Sequence, residues 1–170
     1  MYAIRPVEEK DLEKIIGFFN EEKELRYSFP EAPFPLTREY LKQSIDSRSD
    51  SSVVVQNNAP VAFANLFNIK TGEECTIGNV IVDKKHRRKG AAQFLIHAMV
   101  DIAAGKYRVG RVIVPCWSEN TAGLMLYSRL GFHPYDTVVR QFSTAGAVHV
   151  QLLEKCLDSC LDEPSPVGTI

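Results

Sequence analysis

The chain has 170 residues, 45% of them hydrophobic and 24% charged, which suits one globular domain with an ordinary core. Its net charge of -1 excludes a surface that binds polyanions as a whole, so any anion affinity must come from a local patch. Glu8, Glu9, Lys10 and Asp11 leave no signal-peptide h-region near the start, and no apolar run approaches a membrane span. The cysteines Cys75, Cys116, Cys156 and Cys160 form no CxxC pair and have no histidine at zinc spacing. Free thiols in a cytoplasmic protein, with no metal site, are the expectation.

In chain order, Tyr2-Ala3-Ile4-Arg5 alternates and predicts a short strand. Leu12, Ile15, Ile16 and Phe19 stand at helical spacing, and acids fill the first turn, so a helix is predicted from about Val7 to Phe19. The stretch EEKELRYSFPEAPFPLT has three prolines and no period, and it reads as a long loop with room for broken helical pieces. A second helix is predicted over Arg38 to Ser47. Val53-Val54-Val55 is a buried-type strand ending at the turn signal Asn57-Asn58, and Val61 to Ile69 returns as the other half of that hairpin. After a turn at Lys70-Thr71-Gly72-Glu73, Thr76 to Val82 is the next strand. A helix from about Gly90 to Ala104 gathers Ala91, Phe94, Leu95, Ala98, Met99 and Ile102 on one face. Arg111 to Val114 reads as a strand, and Asn120 to Leu130 as a helix ended by Gly131. Strands near Thr137–Phe142 and Val148–Leu153 pair across Thr144-Ala145-Gly146. The order is mixed α/β with several hairpins, which predicts a mostly antiparallel sheet. The domain is expected over 1–155, and the polar, proline-bearing remainder over 156–170 as a mobile tail.

One stretch stands out. His86-Arg87-Arg88-Lys89-Gly90-Ala91-Ala92 runs from a strand through dense positive charge into a helix. A helix start leaves backbone N–H groups unpaired and carries the positive end of the dipole. Gly90 and two alanines let a ligand come close to that backbone. Lys84, Lys85, Arg87, Arg88 and Lys89 stand against only Asp83. The pattern suits a diphosphate, and a solvated basic turn is the plain alternative. The Walker pattern GxxxxGK[ST] and the dinucleotide pattern GxGxxG after a strand are both absent.

Arg87-Arg88-Lys89-Gly90-Ala91-Ala92 resembles the R/Q-x-x-G-x-G/A acetyl-CoA loop of the GNAT family of N-acetyltransferases. Asn120-Thr121-Ala122-Gly123-Leu124-Met125-Leu126-Tyr127, followed by Leu130-Gly131-Phe132, resembles the family's N-x-x-A-x-x-L-Y-x-x-x-G-F. The two stand in the family's order, and Ile4-Arg5-Pro6 with Asp11-Leu12 looks like its opening strand and helix. The likeness covers Tyr2 to about Glu154. Ala92 replaces the second glycine, and Gly123 replaces the usual alanine. The fold implied is α/β (α+β): a mixed, mostly antiparallel central sheet with helices on both faces and strands splayed at the cofactor site.

The resemblance implies direct transfer of an acetyl group from acetyl-CoA to a primary amine of a small molecule or peptide. Arg87, Arg88, Lys89, Gly90, Ala91 and Ala92 would hold the diphosphate. Val80, Ile81 and Val82 would pair with the pantetheine arm, the Val80 amide polarising the thioester. Pro115 has no N–H, so it either breaks a ladder there or merely ends its strand. Tyr127 is the candidate acid for the departing thiolate, against the alternative of a core tyrosine. Asn120 caps its helix or bonds the pantetheine, and both can hold. The general base stays open. The position where the family often has a carboxylate is Thr76, and Glu74, Glu119 or a water chain are the substitutes. The acceptor side falls to residues 20–37, where Arg26, Tyr27 and Phe29 are the candidates. Trp117 stands either near the acceptor or in the core. The rival reading is a non-catalytic acyl-CoA sensor, motivated by Thr76. Nucleic-acid and membrane partners are not expected, and the chain is expected as monomer or homodimer.

Overall fold

Hydrophobic alternation along the strands decides the architecture. In the computed structural model, which describes residues 1–157, Val53, Val55 and Phe63 turn to one side of a sheet. Val54, Ala62 and Ala64, the residues between them, turn to the other. The strands are β1 (Ala3–Pro6), β2 (Ser49–Gln56), β3 (Ala59–Lys70), β4 (Glu74–Val82), β5 (Arg111–Trp117), β6 (His133–Phe142) and β7 (Gly146–Cys156). They form one seven-stranded sheet in the order β1-β2-β3-β4-β5-β7-β6. Every neighbouring pair is antiparallel except β4 with β5.

Helices cover both faces. α1 (Leu12–Ile16), α2 (Glu22–Ser28) and α3 (Arg38–Ser47) lie in the first third of the chain. Leu12, Ile15, Leu25 and Leu41 from these helices close one core on Phe63 and Ile81. α4 (Ala91–Tyr107) and α5 (Thr121–Arg129) serve the other face, where Leu95, Met99 and Tyr127 join Val54, Leu66 and Val112. The predicted mixed, mostly antiparallel sheet with helices on both faces is present. Asn57 and Asn58 both take positive φ (51° and 63°), the backbone of a two-residue hairpin turn.

Two expectations at the N-terminal end are corrected. The first helix is one short α-helix after a 3-10 turn at Glu9–Asp11, and it stops before Gly17. Its start is pinned because the Asp11 carboxylate accepts from Arg5 (2.6 and 2.8 Å) and from the Glu8 amide (2.8 Å). The stretch read as a loop contains α2. Its buried face is Leu25, Arg26 and Ser28, so two of three inward residues are polar and the apolar period that marks a helix is missing.

Further along, the strands run longer than the sequence predicts. β5 continues through Pro115 to Trp117, with Pro115 opposite Leu152 of β7. Pro115 therefore does not end the strand. What ends is the ladder to β4, whose last pair is Thr76 with Ile113. β7 takes in Cys156, and the rest of the expected tail, with Cys160, lies outside the described residues from 158 onward. Cys75, Cys116 and Cys156 are unpaired thiols, and burial pushes Cys75 up to about 11 and Cys116 up to about 12. Among the described residues no helix is long and apolar enough to cross a membrane.

A bulge interrupts β4 next to the broken ladder. Asn65 faces Gly78 and Phe63 faces Ile81, so Asn79 and Val80 together oppose the single residue Ala64. Asn79 takes φ 52°, which asparagine tolerates better than most residues. Its buried amide makes three hydrogen bonds. Nδ2 donates to the Ser28 carbonyl (2.7 Å), and Oδ1 accepts from Asn65 Nδ2 (2.8 Å) and Ser44 Oγ (2.9 Å). Replacing Asn79 with alanine strands those partners and adds left-handed strain. The expected loss is about 2–4 kcal/mol, read by urea unfolding. A loss under about 0.5 kcal/mol would show that the bulge does not rely on this side chain.

Candidate functional site

Below Thr76 and Ile113 the two central strands are paired; above them they part. A cavity of about 600 Å³ opens there. Ile77 to Val80 of β4 and Val114 to Trp117 of β5 form its sides. α2 and α3 contribute Tyr27, Ser28 and Tyr40, and α5 contributes Tyr127. Beyond the last parallel pair, the edge of β4 that faces β5 carries no strand ladder up to Val82. Val80 sits on the bulge, and its carbonyl accepts from Ser28 Oγ (2.7 Å). Ile81 and Val82 stay in register with Phe63 and Ala62 and bury their side chains.

The charged loop follows. Gly90 takes φ 87° and opens α4 without a side-chain cap. The first helical bond runs from the Phe94 amide to the Gly90 carbonyl (2.9 Å). The amides of Ala91, Ala92 and Gln93 precede it and have no partner inside the helix. Arg88 is exposed at φ 59°. The cluster is less free than its composition implies. The Arg87 guanidinium pairs with Glu24 of α2 (2.6 Å), and its Nε donates to the Val82 carbonyl (3.1 Å). Lys89 Nζ donates to the Lys85 carbonyl (2.8 Å). None of Arg87 to Ala92 lines the cavity itself.

Tyr127 is buried, packs edge-on against Phe132 (5.9 Å between centroids) and reaches the cavity wall. Burial, with a smaller contribution from Cys116, pushes its phenol well above the usual tyrosine value. Asn120 Oδ1 caps α5 by accepting from the Gly123 amide (3.0 Å). A Cβ at Gly123 would press on Asn120 Nδ2 (2.7 Å) and Cys116 Sγ (3.0 Å), so glycine stands there for space.

The remaining candidates divide. Tyr27 lines the cavity, meets Trp117 edge-on (5.6 Å) and donates to Glu119 (3.4 Å). Trp117, stacked on Phe142 at 5.6 Å, belongs to the same wall. Phe29 reaches the cavity from the core, with Phe19 and Tyr40 against its faces. Arg26 does not reach it. The guanidinium is buried and given over to the Ala32 carbonyl (2.5 Å) and Glu22 (2.7 Å), so it holds its own loop. Glu74 is also elsewhere. It stands at the paired end of β4, bonded to Arg111 (3.0 Å to Nε) and Lys70 (3.2 Å). These partners, Arg111 first, hold its carboxyl below the usual range. Six residues of strand separate it from Val80, on the order of 20 Å.

Two arginines line the cavity, Arg48 at the end of α3 and the exposed Arg140 of β6, and neither stands out in the sequence. Arg48 ends α3, lays its guanidinium 4.0 Å from the centre of the Phe67 ring and donates to Asn65 Oδ1 (3.1 Å). Burial lowers its pKa. In sequence it is a basic residue after a helix, which signals nothing.

The family model described as Acetyltransferase (GNAT) family matches residues 12–132 of the chain. No curated protein matches it in sequence. Among solved structures, a GNAT-family acetyltransferase from Bacillus anthracis superposes with a TM-score of 0.76 at 18% identity, covering 91% of this chain and 94% of that one. Spermidine N-acetyltransferase from Vibrio cholerae, solved with CoA and spermine, gives 0.74 at 20%, covering 91% and 95%. The ribosomal-protein-S18-alanine N-acetyltransferase of Escherichia coli gives 0.71 at 20%, covering 97% and 99%. At these identities the likeness is one of fold.

The placement of Glu74 is testable through pH. Its lowered pKa means the ion pairs stabilise the fold above the free carboxyl value, about 4.3, and that this contribution is lost as pH falls through the lower folded value. Glu74→Gln is expected to melt below the wild type at pH 7, with the gap closing well under pH 4 and turnover unchanged. A collapse of turnover in a folded variant would return Glu74 to the chemistry.

Proposed function

The chain belongs to the GNAT family of acetyltransferases, and from that premise we propose that it is an N-acetyltransferase moving an acetyl group directly from acetyl-CoA to a primary amine. One observation carries the reading: the break in the β4–β5 ladder brings the open edge of β4 and the buried Tyr127 onto one cavity wall. Acetyl-CoA supplies the acyl group as a thioester. The unpaired amides opening α4, with Arg88 beside them, take the diphosphate. Gly90 lets that backbone be approached, and Arg87 positions the loop through Glu24 rather than touching phosphate with its charge. The open edge at Val80 to Val82 pairs with the amides of the pantetheine arm, and the Val80 N–H polarises the acyl oxygen. The unpaired thiols of Cys75 and Cys116 suit a reducing, cytoplasmic setting.

In the transfer, the acyl C–S bond breaks and a C–N bond forms. The ammonium first loses one proton to give the attacking amine. As the amide forms, the nitrogen sheds a second. The thiolate takes one from the Tyr127 phenol, which the second proton restores. Raised pKa keeps Tyr127 a protonated donor through neutral and alkaline pH. Among the described lining residues the one carboxylate is Glu31, whose oxygens accept from the Ser143 amide and hydroxyl. The first proton therefore leaves through water, with the exposed Glu119, which accepts from Tyr27, beside Asn120. A sensor module without transfer remains the rival; it binds the cofactor and releases no thiol with any amine.

Calorimetry with acetyl-CoA is expected to give a micromolar dissociation constant. Tyr127→Phe is expected to keep that affinity and lose about a hundredfold or more in kcat. Unchanged turnover removes Tyr127 from the mechanism. With water as the base, kcat/KM should rise with pH at unit slope up to the acceptor's own amine pKa. A plateau set at a lower value, the same for every acceptor, would point to a protein base instead.

A further inference from the structure

Arg48 is a charge with no counter-charge. Arg5, Arg26, Arg38, Arg87 and Arg111 each meet a carboxylate within ion-pair distance. Among the described residues the two arginines that line the cavity, Arg48 and Arg140, meet none, and of these Arg140 is exposed while Arg48 is half-buried. A desolvated guanidinium without a partner is costly, and a structure keeps one where something supplies the missing charge. Asn65 uses one corner of the fork and the Phe67 ring supports its face, which leaves donors over for a bidentate acid.

The strand beneath is shaped around it. Gly78 has ordinary backbone angles, so it is not glycine for the sake of conformation. A Cβ there would run into Arg48 Nη1 and into the Phe67 ring. The guanidinium lies directly over the β4 backbone two residues before Val80. Two residues of strand span at most about 6–7 Å, which leaves room for a guanidinium–carboxylate hydrogen bond of about 2.8 Å plus the shorter amine-to-carboxylate separation inside a small amino acid. The groups around this end of the cavity are neutral: Tyr40, Gln43, Ser44 and Ser47. Glu31 keeps its negative charge and is already bonded to the Ser143 amide and hydroxyl.

We propose that Arg48 selects the acceptor by its acid group, and that the acceptor is a small amino acid whose carboxylate lies on Arg48 while its amine points at Val80. This rests on the transferase reading and narrows it. The aromatic wall of Tyr27, Phe29 and Trp117 lies alongside for an apolar side chain. A polyamine would set a second positive charge beside the half-buried guanidinium, with Glu31 the one carboxylate among the described lining residues.

The test uses matched acceptors: an amino acid, its amide and the amine lacking the carboxyl group, each followed by thiol release from acetyl-CoA. The wild type is expected to favour the acid by about tenfold to a hundredfold in kcat/KM, mostly through KM. Arg48→Ala should abolish that preference with acetyl-CoA affinity intact, and Arg48→Lys should keep part of it. Should truncation of Arg48 unfold the site, Gly78→Ala displaces the guanidinium without removing the charge, and it too should erase the preference. Equal use of acids and amides, preference for polyamines, or an acid preference that survives Arg48→Ala overturns the proposal and leaves the transferase reading standing. Absence of thiol release with every amine, despite acetyl-CoA binding, sinks the transferase reading instead. In that event N-acetyl amino acids titrated against the emission of Trp117, the sole tryptophan, decide the acid site. A response lost in Arg48→Ala upholds it, and no response in the wild type refutes it.

Discussion

The parallel ladder between β4 and β5 ends at Thr76 and Ile113, yet both strands run on. Strand edges inside a protein rarely stay unpaired, because each N–H and C=O left there costs free energy. Here several local features keep the gap open. Pro115 has no N–H to offer the far strand. β5 is held in place by its antiparallel partner β7 instead, through Trp117 opposite Val150. On β4, the bulge at Asn79 and Val80 takes those residues out of register with β3 as well. The result is a stretch of exposed backbone bonding capacity between two otherwise ordinary halves of a sheet.

Polar contacts tie the walls of the gap together. Ser28 Oγ satisfies the Val80 carbonyl, and the Asn79 amide ties Ser28, Ser44 and Asn65 together. Arg48 joins the same network through Asn65. The bulge, the wall of α3 and the end of α2 thus share buried hydrogen bonds, and such a network has few alternative arrangements of equal energy. α2 also reaches the loop before α4, because Glu24 holds Arg87. One short helix touches both the basic loop before α4 and the cavity wall, which gives the geometry at one a route to the geometry at the other.

Charge in this molecule is mostly structural. Arg87 is tied to Glu24 and to the Val82 carbonyl, and Arg26 holds its own loop. Glu74, placed by sequence near a catalytic position, locks the base of β4 to Arg111. Arg48, whose half-buried charge meets no carboxylate among the described residues, is inconspicuous in the sequence. That follows from the chemistry: a buried charge takes whatever partner lies nearest in space, and linear neighbours do not predict it.

The sequence alone determined the features that depend on local order. Alternation along Val53 to Val55 and Val61 to Ile69 gives strands, and Asn57-Asn58 gives the turn between them, because asparagine accepts positive φ. Gly90 before two alanines gives a helix start with open amides, and Asn120 gives a cap, since both need only residues a few positions apart. The two motifs, at their spacing, were enough to read the family. Tertiary structure decided what depends on contacts across the chain. α2 forms although its buried face is polar, because its partners are the Ala32 carbonyl and Val80, not apolar neighbours at helical spacing. Whether Pro115 ended its strand or only one ladder depended on β7, about forty residues later, being there to pair with it. And Arg48 became part of a cavity only because Gly78, thirty residues away, leaves room for it.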